Sequence, residues 1–361
     1  MNTVIDTIVI GGGQSGLAAL HSLRERGRTA VLLEAGEQLA GSWPHYYDSL
    51  TLFSPARYSC LPGLAFGGDP EHYPHRDEVV AYLTRYAREL TRDGAQIRTG
   101  ARVVGVVAAA GGGFTVRLAD GQRMSARSVI AATGSFARPW LPPLTGADTF
   151  TGQIRHAAGY RSPEPYAGRR VVVVGAGNSA VQIAVELAAH ARVTLASRAP
   201  VRFVPQRPLG RDLHFWFRLT GFDRLPLRRT GDPVPAPVLD PGRYRRALAA
   251  GLPDRRPMFT RLTADQVEWA DGTRERVDVV LLATGYRPNL DYLAGLGALD
   301  ADGRPRHDRG LSTSHPGLGY LGLEWQRTPS SNTLRGVGAD ARHLVGRLTA
   351  RLGTGRVPAR T

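Results

Sequence analysis

The chain has 361 residues, 42% hydrophobic and 21% charged, enough to bury two ordinary cores and unlike the composition of a disordered protein. Its formal charge of +15 rests on 46 basic residues that are all arginine. They are dispersed, in short pairs such as Arg169-Arg170, Arg228-Arg229 and Arg245-Arg246, so they read as compositional bias rather than a nucleic-acid footprint. The lack of lysine excludes a Schiff base, and the single cysteine, Cys60, excludes an internal disulfide or a dithiol redox pair.

No basic and apolar leader precedes the first glycine motif, and the opening stretch "TVIDTIVI" is too short to cross a bilayer, so a cytoplasmic protein without membrane contact is expected. An apolar strand from Val4 to Ile10 runs into Gly11-Gly12-Gly13-Gln14-Ser15-Gly16, then into a helical pattern through Leu17, Leu20 and Leu23. A second strand, Ala30 to Leu33, ends on Glu34 and Ala35. Strand, GxGxxG, helix, strand and acid in that order read as a dinucleotide fold. Gly11, Gly13 and Gly16 let the backbone approach a pyrophosphate, the helix start at Gln14 and Ser15 stabilises its charge, and Glu34 accepts from ribose hydroxyls. The ligand is FAD or NAD. Further on, "VAAAGGG" at 107–113 reads as a hairpin turn, and the polar hairpin 118–128 leads into the buried strand "VIAATGS", which ends on Ala132, Thr133 and Gly134.

The pattern recurs in mid-chain. Val171 to Val174 form a strand, Gly175-Ala176-Gly177-Asn178-Ser179-Ala180 the turn, Val181 to Ala189 the helix, and Val193 to Ala196 the next strand, followed by Ser197 and Arg198. At the offset from the leading glycine where the first unit has Glu34, the second has Arg198. A carboxylate there repels a 2′-phosphate and an arginine pairs with it, so this site reads as NADPH, the alternative being a merely solvated Arg198. Ala180 in place of the third glycine belongs to the same variant. A polar hairpin at 268–278 again precedes a strand, "VLLATGY", ending on Thr284 and Gly285. The fold class is therefore α/β, with two Rossmann-like dinucleotide-binding domains.

Between the first Ala-Thr-Gly and the second glycine turn lies "FTGQIRHAAGY", a poor helix and an interrupted strand, with Phe150, Gly152, His156 and Tyr160. Here the sequence resembles the class B flavin-dependent monooxygenases, in particular their small bacterial and YUCCA-like members, whose fingerprint FxGxxxHxxxY it matches. The resemblance implies that Tyr160 selects N- or S-oxygenation over Baeyer–Villiger chemistry, and that His156 and the aromatics pin the domains against NADP. It also implies that Gly41, Ser42 and Trp43 lie along the flavin. "YPHRDEVVAYLTRYARELT" looks like the family's next helix, capped by Asp77, with Val79, Val80, Leu83, Tyr86, Ala87 and Leu90 on its apolar face. "TLRGVGADARHLVGRL" looks like a glycine turn opening a final helix, whose N-terminus steadies the charge of reduced flavin. Lipoamide-type reductases share the paired folds but need a cysteine pair. One departure concerns 51–55, Thr-Leu-Phe-Ser-Pro, where animal-type members carry an asparagine beside the flavin: either Ser54 takes over its hydrogen bond or Phe53 shapes the pocket.

The organisation implied is an FAD-binding domain in two parts, 1–149 and 286–361, a linker at 150–170 and an NADPH-binding domain at 171–285. In the implied mechanism NADPH reduces FAD, O₂ adds at flavin C4a, and the protein keeps that hydroperoxide dry until a small heteroatom- or carbonyl-bearing substrate arrives, with Ser54, His156 and Tyr160 as catalytic candidates. The histidines, among them His72, His75, His156, His214 and His315, show no ligand spacing, so no metal is expected. His214, Phe215, Trp216 and Phe217 either line a pocket or pack a helical hairpin, and 226–246 reads as a surface loop. The competing functions are a flavin NADPH oxidase or reductase without oxygenated product, a Baeyer–Villiger enzyme, and a nucleic-acid-binding protein. The expected partners are a small substrate and O₂, without nucleic acid or membrane, and a homodimer is entertained as the assembly.

Overall fold

A computed structural model describes residues 4–226 and 237–353, the side chains of the last two excepted. The apolar runs become parallel strands with both faces covered, which is why they read as continuous rather than alternating. In the first sheet the order is His307–Asp308, Leu311–Ser312, Leu318–Tyr320, Arg123–Ala131, Ile5–Ile10, Ala30–Leu33, Gln96–Arg98; the strands from Leu318–Tyr320 onward are parallel. The hairpin Val103–Ala108 and Phe114–Leu118 extends antiparallel from Arg123–Ala131. The second sheet runs Asp254–Pro257, Arg192–Ser197, Arg170–Val174, Val279–Leu282, Gln153–His156, all parallel.

One face of the first sheet carries α1 (Gln14–Glu25), α2 (Arg76–Arg92) and, at the end of the described chain, a 20-residue helix at Leu334–Gly353. Their core contains Leu17, Leu20, Leu23, Leu83, Tyr86, Val337 and Leu344. The second sheet is covered by α3 (Asn178–Leu187) and, further along the chain, by a helix at Arg243–Ala249 on one face. The antiparallel Arg261–Thr263, Gln266–Glu268 and Arg274–Arg276 cover the other. In each unit the polar hairpin joins the last two strands of a three-stranded antiparallel set. After each Ala-Thr-Gly the chain crosses between sheets, and the two crossings, Arg138–Pro139 and Tyr286–Arg287, pair antiparallel with each other.

Four expectations change. His75, not Asp77, caps α2: its ring accepts from Asp77 N–H while Glu78 returns a carboxylate to His75 N–H, and Asp77 instead binds Arg76. Residues 150–160 are not merely a linker, since Gln153–His156 pairs with Val279–Leu282 as an edge strand. Of the surface loop at 226–246, 227–236 (with Arg228-Arg229) lie outside the described residues, while Val238–Asp240 is a strand and Arg245 and Arg246 lie in the helix Arg243–Ala249. The glycines at 336 and 338 lie inside the final helix and open no turn. Added Cβ atoms there would stand 2.1 Å from the Ser330 carbonyl oxygen and 2.5 Å from Pro62, so these glycines admit close neighbours. Gly336→Ala should therefore cost about 1–3 kcal/mol in a urea titration, whereas Gly111→Ala, which meets nothing within 4 Å, should stay within about 0.5 kcal/mol of wild type.

Candidate functional site

The first glycine turn is shaped by close backbone approach. Gly11 has φ of +111° and its missing Cβ would lie 2.7 Å from the Ala132 carbonyl oxygen; Gly175 has φ of +150° and the matching distance to Ala283 is 2.6 Å. Each leading glycine therefore packs on the Ala-Thr-Gly strand end of its own unit. At the third position a Cβ on Gly16 would fall 1.8 Å from Gly11 O, so only glycine fits, while Ala180 is tolerated in the second unit. The middle glycines face outward: a Cβ on Gly13 would meet only Gly41, and on Gly177 nothing within 4 Å. Gly13 and Gly177 are also the N-caps of α1 and α3, and neither helix start has a side-chain cap or an acid in its first turn. By contrast α2 is capped by His75, and α4 (Leu213–Thr220) by Asp212. Two uncapped helix starts behind bare glycines are cradles that fit two pyrophosphates.

Glu34 closes the first cradle. Its carboxylate accepts from Gly12 N–H at 2.6 Å and from Gly36 N–H at 2.8 Å, which orients it and leaves lone pairs for ribose hydroxyls. Ala35 follows it, half-buried. Gln14 ties the cradle together: its Oε1 accepts from Trp43 Nε1–H at 3.1 Å, and its Nε2 donates to Asn332 O at 2.8 Å, just ahead of the final helix. Ser15 is buried against Gly322, and the Ser42 and Tyr46 hydroxyls are 2.9 Å apart. In the second cradle Asn178 Oδ1 accepts from Leu239 N–H, Ser179 is exposed, and Ser197 ends its strand half-buried. Arg198 is exposed, with no ion pair among the described residues.

The two Ala-Thr-Gly ends are pinned differently. Thr133 donates to Asn289 O at 3.1 Å, and beyond Gly134 the Ser135 hydroxyl donates to Gly322 O. Thr284 donates to Trp140 O, and Gly285 O accepts two donors, Trp140 N–H at 2.9 Å and His156 Nε2 at 3.0 Å. His156 Nδ1 accepts from Ala158 N–H at 3.0 Å, so the neutral ring carries its proton on Nε2. Burial lowers its pKa from 6.5.

The other two catalytic candidates lie elsewhere. Tyr160 is fully buried in the core of the second sheet beside Tyr47 and Tyr166, and its hydroxyl donates to Glu186 Oε2 at 2.7 Å, which with burial pushes its pKa far up. It is a packing residue there. The Ser54 hydroxyl is 2.9 Å from that of Ser59, whose own proton points to the Ser54 and Pro55 carbonyls, so Ser54 Oγ donates within its own loop. Of the aromatics left open at 214–217, His214 is buried, and Phe215, Trp216 and Phe217 are half-buried on α4, a single helix rather than a hairpin. Tyr47 was missed: its hydroxyl donates to Gln182 on α3, joining the segment after Trp43 to the second unit. No spacing in the sequence marks it. Among the described residues no three His, Cys, Asp or Glu stand together as a metal site, and no helix is long and apolar enough to cross a membrane.

Comparison with known proteins agrees with this geometry. Residues 8–210 match the pyridine nucleotide-disulphide oxidoreductase family. A flavin-containing monooxygenase from Stenotrophomonas maltophilia superposes with a TM-score of 0.85 at 33% identity, covering 97% of this chain and 99% of that one. The chain belongs to the flavin-containing monooxygenase family. An indole-3-pyruvate monooxygenase, YUCCA1 of Oryza sativa subsp. japonica, is 34% identical over 78% of this chain and 77% of its own length. An uncharacterized CzcO-like oxidoreductase of Geobacillus kaustophilus is 31% identical over 96% and 98%. A flavin-containing monooxygenase is an oxidoreductase, and the cofactors of this family are FAD and NADPH.

The His156 geometry sets a pH dependence. Its folded pKa lies below its unfolded one, so its contribution to stability is complete above about pH 6.5 and is lost as pH falls through the lowered value. Between about pH 7.5 and about pH 5.5 the wild type should lose more unfolding free energy than His156→Gln, as read by urea titration at each pH.

Proposed function

We propose that this flavin-containing monooxygenase oxidises NADPH and transfers one oxygen atom of O₂ to a small heteroatom- or carbonyl-bearing substrate. The observation that carries the reading is the pairing of two open cradles with a single cysteine. The two cradles would hold the nicotinamide and flavin nucleotides, Cys60 alone offers no dithiol exit for their electrons, and in this reading dioxygen is the acceptor. In this reading 1–149 and 286–361 form the FAD-binding part, 171–285 binds NADPH, and 150–170 joins them while lending an edge strand to the second sheet.

The bound flavin supplies hydride acceptance and activation of O₂ at C4a. The chain's own residues bind, orient and exclude water. Gly11, Gly13, Gly16, Gln14 and Ser15 cradle the FAD pyrophosphate, Glu34 and Ala35 hold its ribose, and Gly41, Ser42 and Trp43 lie along the flavin, with Ala132, Thr133 and Gly134 at the strand end. Gly175, Gly177, Asn178, Ser179 and Ala180 cradle the NADPH pyrophosphate, Ser197 and Arg198 meet its 2′-phosphate, and Thr284 and Gly285 flank it. His156 keeps its Nε2 proton on Gly285 O and so fixes where the second unit faces the flavin, rather than exchanging that proton. Tyr160 steadies α3 through Glu186 and leaves the choice between heteroatom and carbonyl oxygenation to other residues.

Mass spectrometry of reactions supplied with NADPH, ¹⁸O₂ and candidate amines, sulfides and ketones tests the reading. Product carrying one ¹⁸O per NADPH consumed supports it; quantitative peroxide with every substrate establishes the oxidase instead. For the cofactor, Arg198→Glu should narrow or reverse the preference for NADPH over NADH in flavin reduction, since a charge-assisted pair contributes about 1.5–3 kcal/mol. An unchanged NADPH/NADH ratio of kcat/KM would remove Arg198 from that role.

A further inference from the structure

Between the second and third strands of the second unit the chain makes an excursion that returns to the first unit at two points. At its near end Asp212 is buried, 4% exposed, and its carboxylate collects four donors. These are Tyr73 OH at 2.7 Å, Gln206 Nε2 at 2.8 Å, His214 N–H at 2.8 Å and the His214 ring at Nδ1, also 2.8 Å away. Burial opposes its charge, but the donors outweigh burial and hold its pKa below the ordinary carboxylate value. Gln206 Nε2 also donates to Phe53 O at 2.6 Å, and the Phe53 and Tyr58 rings flank His214 at 6.3 and 6.4 Å between centroids. At its far end, past α4, Asp223 accepts from Arg335 Nε and Nη2, at 2.9 and 3.1 Å, and its carbonyl accepts from Ser330 Oγ.

The far anchor lies beside the first cradle, and the near one follows it in the chain. Residues 330–335 include Asn332, whose carbonyl holds Gln14 at the start of α1. Residues 51–55 follow the segment in which Gly41 lies against Gly13 and Trp43 binds Gln14. Capping α4 occupies only Oδ1, through His214; Oδ2 takes Tyr73 OH and Gln206 Nε2, and Gln206 reaches on to a peptide of the 51–55 loop.

We propose that residues 51–55 face the flavin and that Asp212 is a positioning residue for them, acting through Gln206 on the Phe53 peptide and through Tyr73 and His214 on the excursion that meets this loop. Gln206 and Tyr73 are its two arms to the first unit: removing either leaves the glycine cradles and His156 untouched, but frees the loop or the excursion to admit water. The inference rests on the monooxygenase reading, because coupling of NADPH to product is one of its consequences. It has a second consequence that does not depend on turnover.

The experiment compares FAD-loaded wild type with Gln206→Leu and Tyr73→Phe, each well below its melting temperature. Iodide quenching of flavin fluorescence in the oxidised enzyme should rise about twofold or more in both variants, with FAD content and the rate of flavin reduction by NADPH within about twofold of wild type. The peroxide share of consumed NADPH and the KM for substrate should rise together, kcat for NADPH consumption changing least. Wild-type quenching in both folded variants overturns the proposal whatever the turnover shows, and so does a parallel loss of FAD or of flavin reduction, which makes Asp212 a stabilising residue only. If the wild type itself yields no oxygenated product, the monooxygenase reading fails while the quenching comparison still decides this one.

Discussion

One carbonyl joins the two halves of the molecule. Gly285 O accepts from Trp140 N–H on the crossing that leaves the first sheet and from His156 Nε2–H on the edge strand of the second, so both of its lone pairs are used. The glycine sits at φ of +89°, where any other residue is strained, and its peptide ends the strand Val279–Leu282 just before the returning crossing. Two nucleotides bound on separate sheets react only if their reactive rings meet, and a misplacement of about 1 Å can cost up to about 10²-fold in rate. The paired crossings, His156 stacked edge-on against Tyr286 and Arg287 over the Trp140 ring all converge on this junction.

Around that junction the electrostatics are selective. Helices that carry structure have their starts closed: α2 by the reciprocal His75 and Glu78 bonds, α4 by Asp212. α1 and α3 are left open, with no acid in the first turn to compete with a phosphate, whereas at the helix Arg243–Ala249, which also starts behind a bare glycine, Asp240 Oδ1 takes the Tyr244 N–H at 3.1 Å. Part of the chain's positive charge is held against carboxylates in surface pairs, as Arg57 is with Glu71 and Arg276 with Asp265.

Most of the fold was legible because it is local. Glycine turns, buried valine runs and polar hairpins each determine their structure within a few residues, and their repetition identified the two units. What escaped depends on long-range partners. Asp77 and His75 compete for one cap, and the winner is set by Glu78 and by Asp48, whose carbonyl holds the His75 ring. The glycines at 336 and 338 read as a turn because the Ser330 and Pro62 atoms that require them are invisible in sequence. In the same way the fingerprint 150–160 singled out His156 and Tyr160 without showing that they sit in different places: one bonds the Gly285 carbonyl at the crossing, the other Glu186 on α3. Tyr47, Gln206 and Asp212 carried no signal, since each matters only through residues distant in the chain.

The most direct test of this account is the fate of electrons when the Gly285 junction is loosened. His156→Ala removes one of its two donors and leaves both cradles intact. The account predicts that NADPH consumption stays within about tenfold of wild type, as approach of the rings for hydride transfer is brief, while the electrons shift from oxygenated product to hydrogen peroxide. Loss of flavin reduction with an unchanged ratio of product to peroxide would contradict it, because the junction would then serve only to dock NADPH.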